Sequence, residues 1–462
     1  MSTSDVWQAS SAPGGEPSYA AALAALEARG RYGIRLGLGR VRALLRAMGN
    51  PELTVRGAMV AGTNGKGSVI ALAGSALRAA GYRVGETPKP HLVTYRERIV
   101  VDGRPIDAAT FARLVDETLP AADRIARRLG PPTEFELLTA VMFRHFAEAG
   151  LDVALVEVGL GGRLDATNAW DGGVAVLTNV GLDHTDRLGP TIGAIAREKA
   201  AIVKRGDRAV TGADGEALEI LRRRCARLRV PLAVAAPPPV LGWTRDALRV
   251  ELPGLGPVDV GLRGRHQAAN TAVADALLDA LAAAGTADVP AAARRSGYAA
   301  ATWPGRLELV IAPGGREVLL DGAHNPDGAA ALATALDDLR PFLAGGRALP
   351  PAPVTLVWAS MSDKDVEGVL RAVAASPALA DAEVICTAVD LPRALAPEAL
   401  AAVWRAALPD ARVHVVPGTG AALERALRDG RGPVVVAGSL YLVGDIRTRL
   451  VDDPALRDPA TP

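Results

Sequence analysis

Cysteine is almost missing from this 462-residue chain: only Cys225 and Cys386 occur, far apart in sequence and outside any metal-ligand spacing. A disulfide framework and a cysteine-based zinc site are thereby excluded, and a reducing, cytoplasmic setting is the simpler expectation. Net charge is also lacking. The 52 basic and 51 acidic side chains leave a formal +1, and aromatics, at 4%, are not interleaved with any basic run. No nucleic-acid partner is expected. No window approaches the ~18 uninterrupted apolar residues of a membrane span, so no membrane partner is expected either. Residues 1–17 are rich in Ser, Gly and Pro and lack the basic and apolar segments of a signal peptide. A disordered tail is the expectation there.

What the chain has in quantity is apolar residues, at 49%. They are enough for large cores, and the length calls for more than one domain. Short apolar runs predict strands at 55–61, 83–87, 153–158, 174–179 and 208–211. Helical patterns fall among them at 68–80, 107–130, 133–150, 192–203 and 216–228. This alternation predicts a buried parallel sheet. Shorter alternating runs with prolines over 231–257 predict a small antiparallel addition, and a long Ala-rich helix follows at 266–284. Residues 298–304 carry no strong periodicity, and the domain junction is placed there. A second alternation follows, with strands at 307–311, 318–320, 354–358, 383–387, 413–416 and 434–437, which predicts a smaller doubly wound domain. The expected division is a tail at 1–17, a first domain at 18–302 and a second at 303–462.

Chemistry-bearing residues gather at the ends of the predicted strands. Val60-Ala61-Gly62-Thr63-Asn64-Gly65-Lys66-Gly67-Ser68-Val69 joins a strand to a helix through a Gly-rich turn, the arrangement that cradles an anion on backbone amides. Its Ser comes one residue later than in the standard phosphate loop, and an ordinary turn is the alternative. Glu157 closes an apolar strand ahead of Gly159-Leu160-Gly161-Gly162-Arg163. There it points into the ligand crevice of a parallel sheet as a hard oxygen ligand for magnesium, or else pairs with Arg163. Asn179, Asp183, His184 and Asp186 follow the next strand. Of the six histidines, His91, His184, His266 and His324 fall in loops or at element ends, whereas His145 and His414 have structural contexts. Asp321-Gly322-Ala323-His324 repeats the strand-end theme in the second alternation. Lys199, 15 residues beyond His184, sits mid-helix, where a lysine is usually a solvated charge.

In combination these motifs resemble the folylpolyglutamate synthase/dihydrofolate synthase family, within the Mur-type ATP-dependent amide ligases, from about residue 32 to residue 447. The matching stretches are Gly62 to Ser68, Glu157 to Asn168, Leu182 to Thr185, and Arg197 to Ala200. They continue with His266-Gln267 and Asn270, Pro304-Gly305-Arg306, Asp321 to Pro326, and Gly438-Ser439-Leu440. The family's phosphate loop carries the extra Gly that displaces the Ser. The resemblance implies a P-loop NTPase-like parallel-sheet α/β domain followed by a smaller Rossmann-like α/β domain. It also implies a ligase that joins L-glutamate to a folate, to dihydropteroate, or to both, by way of an acyl phosphate.

Site residues follow only through that resemblance. Asn64, Gly65, Lys66, Gly67 and Ser68 would wrap the ATP phosphates, with Asn270, Arg306 and Asp321 on the nucleotide. Ser68, Glu157, His184 and a carbamylated Lys199 would serve two magnesium sites, with a monovalent cation also implied. Lys66, His184, Lys199, Asp321 and His324 form the expected catalytic set. Thr133, Glu134, Phe135, Glu136, Leu164, Asp165 and Ala166 match the pterin pocket, and a monomer is expected. Two departures stand out. Pro88-Lys89-Pro90-His91-Leu92 has Lys89 where the family's metal-binding Ser stands, and Arg35 replaces an acidic residue found in some members near the pterin. The rival readings are a cell-wall precursor ligase, for whose extra N-terminal domain the residues before Val60 leave little room, and a non-catalytic nucleotide-binding protein.

Overall fold

Apolar runs of four or five residues become the central strands of a large sheet in the computed structural model, which describes residues 18–30, 33, 35–348 and 351–459. The tail expected over 1–17 lies outside the described residues. The sheet comprises β1 (Gly57–Ala61), β2 (Val84–Thr87), β3 (Val100–Val101), β4 (Arg104–Pro105), β5 (Val153–Glu157), β6 (Gly173–Leu177), β7 (Arg208–Thr211) and β8 (Leu232–Val234). Their order is β4-β3-β2-β5-β1-β6-β7-β8. All pairings are parallel except those of β3 and β4, which form a hairpin on one edge. Every residue of β1 and β5 is buried, because helices cover both faces and alternation with polar residues is no longer required.

Parallel strands deliver their following loops to one sheet edge. The segment after β1 starts at Gly62, that after β2 contains Lys89, that after β5 starts at Val158, and that after β6 carries Asn179 and His184. Register places Val60 beside Glu157 and Ala61 beside Leu177, so these loops emerge level with one another.

The antiparallel addition differs in extent from the expectation over 231–257. Leu232–Val234 joins the large sheet, and the separate three-stranded sheet consists of β9 (Val240–Trp243), β10 (Leu248–Leu252) and β11 (Gly256–Val260). Residues of β10 alternate in burial, as expected for a sheet with one wet face. The helix Ala291–Ala300 was not anticipated: Arg294, Arg295, Ser296 and Gly297 interrupt its apolar periodicity. It packs on the helix Lys66–Ala79, where a Cβ on Gly297 would lie 2.4 Å from the Ala76 Cα. Tyr298 is fully buried within it and donates to Asp275 at 2.9 Å.

The second domain is built on β12 (Glu308–Ile311), β13 (Glu317–Leu320), β14 (Thr355–Trp358), β15 (Glu383–Cys386), β16 (Arg412–Val415) and β17 (Val434–Ala437), in the order β12-β13-β17-β14-β15-β16. Only the edge strand β12 is antiparallel. This is the Rossmann-like α/β arrangement expected. Contacts between the halves are specific. Arg265 forms a bidentate pair with Asp338 at 2.6 Å, and the Trp243 indole donates to the Asp338 carbonyl at 2.9 Å. At the far end, Arg96 binds Asp458 at 3.1 Å and the Arg457 carbonyl at 2.9 Å, while Thr94 donates to Asp458 at 2.7 Å.

Candidate active site between the two domains

The turn after β1 is shaped by what presses on it. Gly65 has φ +81°, and a Cβ there would lie 2.3 Å from the Asn270 side-chain oxygen; one on Gly67 would lie 2.7 Å from the Trp303 ring. Only glycine fits such contacts, and the first also needs a left-handed backbone. The helix Lys66–Ala79 then starts with no side-chain cap. Its leading N–H groups, with the positive end of the helix dipole, are left to an anion. The Asn179 side chain accepts the Asn64 N–H at 2.9 Å, and Thr63 is tied to Gly181 in both directions.

Two ammonium groups converge on the first residue of this turn. Lys66 Nζ donates to the Gly62 and Thr63 carbonyls at 3.1 and 3.0 Å, and Lys199 Nζ donates to the same Gly62 carbonyl at 2.9 Å. Lys199 is therefore not a solvated charge. It is 6% exposed, and burial, helped by the Lys66 charge, lowers its pKa to about 7. Glu157 is buried too, which pushes its carboxyl above the usual range against the opposing pull of Lys66 and Lys89. Arg163, the alternative partner for Glu157, pairs instead with Glu198 at 2.8 Å.

His184 takes a left-handed conformation, φ +50°, ahead of a short helix, and burial lowers its pKa. Asp183 beside it is the meeting point of the domains. Lys364 from the second domain lies 3.3 Å from Asp183 Oδ1, and the Asn325 amide donates to Asn64 Oδ1 at 3.2 Å and lies 3.5 Å from Asp183 Oδ2. Neither Lys364 nor the bridging role of Asn325 was anticipated, since a lysine in the loop after β14 gives no periodic or spacing signal.

Asp321 accepts N–H bonds from Leu307 and Ala323, both at 2.9 Å. Burial raises its carboxyl while the nearby Arg306 charge opposes this. Leu307 itself has φ +45°, a strained value at the junction that Asp321 holds in place. His324 is held by burial at a pKa of about 4 and is neutral at pH 7. Its Nδ1 lies 2.7 Å from the Gly322 carbonyl, which can only accept, so Nδ1 carries the proton and Nε2 offers a lone pair.

At the other end of the cleft, Thr133 and Glu136 form a capping box. Glu136 Oε2 also receives Arg40 at 3.0 Å, while its Oε1 is buried without a partner. Asp165 spends its carboxylate on the local loop, accepting from Gly159, Leu160 and Thr167. Phe135 receives the Lys89 ammonium 5.0 Å from its ring centroid.

One cleft of about 940 Å³ joins all of this. The phosphate turn, Glu157, His184, Asn270, Arg306, Asp321 and His324 line it, together with Thr133, Glu134, Phe135, Glu136, Leu164, Asp165 and Ala166. Of the expected site residues only Lys199 is not on its wall, lying one layer behind, against Gly62.

Comparison with known proteins places this architecture. Residues 60–236 match the Mur ligase middle domain and residues 305–440 the Mur ligase, glutamate ligase domain. The dihydrofolate synthase/folylpolyglutamate synthase of Bacillus subtilis is 34% identical over 456 residues, 94% of this chain and 99% of that protein. The chain belongs to the dihydrofolate synthase/folylpolyglutamate synthase family. Solved members of the family share the fold. Mycobacterium tuberculosis folylpolyglutamate synthase, complexed with ADP and AMPPCP, superposes with a TM-score of 0.82 at 34% identity, covering 95% of this chain and 100% of that one. Escherichia coli FolC in complex with DHPP and ADP gives 0.77 at 31% identity, covering 94% and 98%. As a member of this family of Mur-type ligases, the protein is an enzyme that forms carbon–nitrogen bonds, and nothing in these matches favours the cell-wall or non-catalytic readings. No helix among the described residues is long and apolar enough to cross a membrane.

Proposed function

We propose that this ligase joins the amine of L-glutamate to a carboxylate of a reduced folate, of dihydropteroate, or of both, through an acyl phosphate. The supporting observation is the continuous cleft from the phosphate turn to Phe135, completed by Arg306, Asp321 and His324. A carboxylate is a poor acyl donor, so activation comes first. The substrate carboxylate oxygen attacks the γ-phosphorus of ATP and ADP leaves. The glutamate nitrogen then attacks the acyl carbon, inorganic phosphate leaves, and the amine proton passes to a base. Catalysis is largely alignment and charge stabilisation.

In this reading Asn64, Gly65, Gly67 and Ser68 hold the phosphates on backbone amides, and Lys66 meets the charge that develops on the β/γ side. Asn270, Arg306 and Asp321 hold the nucleotide at the junction. His324, neutral and with Nε2 free, takes the amine proton. Thr133, Glu134, Phe135 and Glu136 face the pteridine with Leu164, Asp165 and Ala166, and the unpartnered Glu136 Oε1 is the group a pteridine N–H would satisfy after a small adjustment.

Magnesium, when bound, neutralises phosphate charge. Among the described residues no cluster of three or more His, Cys, Asp or Glu is poised for a metal. A phosphate-bound magnesium needs only one or two protein oxygens, so the Ser68 hydroxyl and Glu157 would fit that demand, and His184 completes the implied set. Lys199 as an amine cannot ligate. Its lowered pKa suits carbamylation, in which the neutral nitrogen bonds to the carbon of CO₂ and loses a proton, leaving an anionic carbamate. A monovalent cation remains part of the reading without assigned residues. We also take the enzyme to be a cytoplasmic monomer, divided into domains at 18–302 and 303–462.

The test is phosphate release from ATP by the purified chain with magnesium and L-glutamate. Dihydropteroate or tetrahydrofolate should stimulate release and a muramoyl nucleotide should not. Silence with both pteroates would sink the proposal.

A further inference from the structure

Glu157 stands where a divalent cation on the triphosphate would find its carboxylate, yet two lysines already surround it. Lys66 Nζ lies 4.0 Å from Oε1. Lys89 closes the other side: its backbone N–H donates to Oε2 at 3.1 Å, and its ammonium donates to the Glu157 carbonyl. The ammonium also faces the Phe135 ring at 5.0 Å. Thr87, at the end of β2 and two residues before Lys89, accepts the Glu157 N–H at 2.8 Å, so the two segments are tied together. Pro88 and Pro90 on either side of Lys89 restrict the backbone that presents it.

A protonated amine has three donors and no lone pair, so Lys89 cannot ligate a metal; it can only compete with one. An ammonium close to the site repels a divalent ion twice as strongly as a monovalent one at the same distance. With Lys66 4.0 Å from one carboxylate oxygen, the Lys89 N–H on the other and the Lys89 ammonium on the carbonyl of the same residue, Glu157 can share in one divalent site but not in two.

We infer that the Lys89 ammonium is a resident cation that takes the place of one divalent ion beside Glu157, so that the nucleotide-loaded site holds a single divalent ion. This rests on the ATP-ligase reading above. Lys89 lies between Glu157 and Phe135, where the phosphate end of the cleft meets the pteridine end. Its charge would draw the substrate carboxylate toward the phosphate, making it a positioning residue.

The experiment titrates Mn²⁺ into the full-length chain with equimolar AMPPCP and reads free Mn²⁺ by its electron paramagnetic resonance signal. The expectation is one Mn²⁺ per chain for the native protein and for Lys89→Arg, and one more for Lys89→Ser and Lys89→Met. Lys89→Met keeps the stem against Phe135, and thermal unfolding of each variant identifies any that fails to fold. Two ions in the native chain, or an unchanged count in both neutral variants, overturns the inference. Failure of the chain to retain AMPPCP at all overturns the nucleotide reading instead, and the inference with it.

Discussion

Replacing Gly65 by alanine tests whether the turn after β1 is shaped for a nucleotide or is merely tight. The left-handed backbone, φ +81°, costs an alanine about 1 kcal/mol. The added Cβ would lie 2.3 Å from Asn270 Oδ1, so that side chain must swing away and lose its 2.8 Å bond to Gln267. A lost hydrogen bond adds about 1 kcal/mol. Gly81→Ala is the control, because Gly81 has φ +89° and nothing within 4 Å of its Cβ position. Both variants should lose stability in urea, Gly65→Ala by about 1 kcal/mol more than the control. Calorimetry with AMPPCP should show unchanged affinity for Gly81→Ala. Gly65→Ala should bind about tenfold more weakly, since Asn270 is displaced and a decade corresponds to about 1.4 kcal/mol. Native affinity in Gly65→Ala would refute the place given to Asn270 and the turn.

Two further expectations concern charge. Desolvation of its ring lowers the His266 pKa to about 4, although the residue as a whole is open to solvent, whereas an unfolded histidine titrates near 6.5. Between those values the unfolded chain takes up a proton that the native one does not, so this group's contribution is lost as pH falls. Relative to His266→Gln, the native protein should lose stability as pH falls from 6.5 toward 4, by less than the full linkage value because the residue is open to solvent; melting curves at pH 7 and 5 that keep a constant gap contradict this. At the chain's end, Asp458→Ala should cost about 1–2 kcal/mol, because Arg96 is buried and Asp458 only partly so. Denaturant curves should show part of that loss restored when Arg96→Met is added.

The sheets were legible because strands buried on both faces must be apolar along their length, as in Val153 to Val156, and because turn chemistry follows them at once. Glu157 and Asp321 were legible for the same reason, a charged group at the end of such a strand being conspicuous, and Asp183 was legible in the polar loop that follows β6. The helix Ala291–Ala300 was not, since its buried face rests on Gly297 and Tyr298 amid arginines. The β3–β4 hairpin has two residues per strand, too few to show a period. Lys364 and Asn325 became significant only when the second domain set them against Asp183 and Asn64, a juxtaposition that no local pattern encodes. Trp303 is similar: its ring explains Gly67 only in three dimensions.

The bond from Asn325 to Asn64 and the pairing of Lys364 with Asp183 bear on how the domains part. Both contacts lie at or beside the phosphate turn, so the two domains meet at the mouth of the site through polar groups. A nucleotide held at this turn, as proposed above, would compete with these contacts or share their groups. Separating the domains at this point breaks a few polar contacts. Polar contacts of this kind contribute only about 1 kcal/mol each, so opening the junction here need not disturb either hydrophobic core.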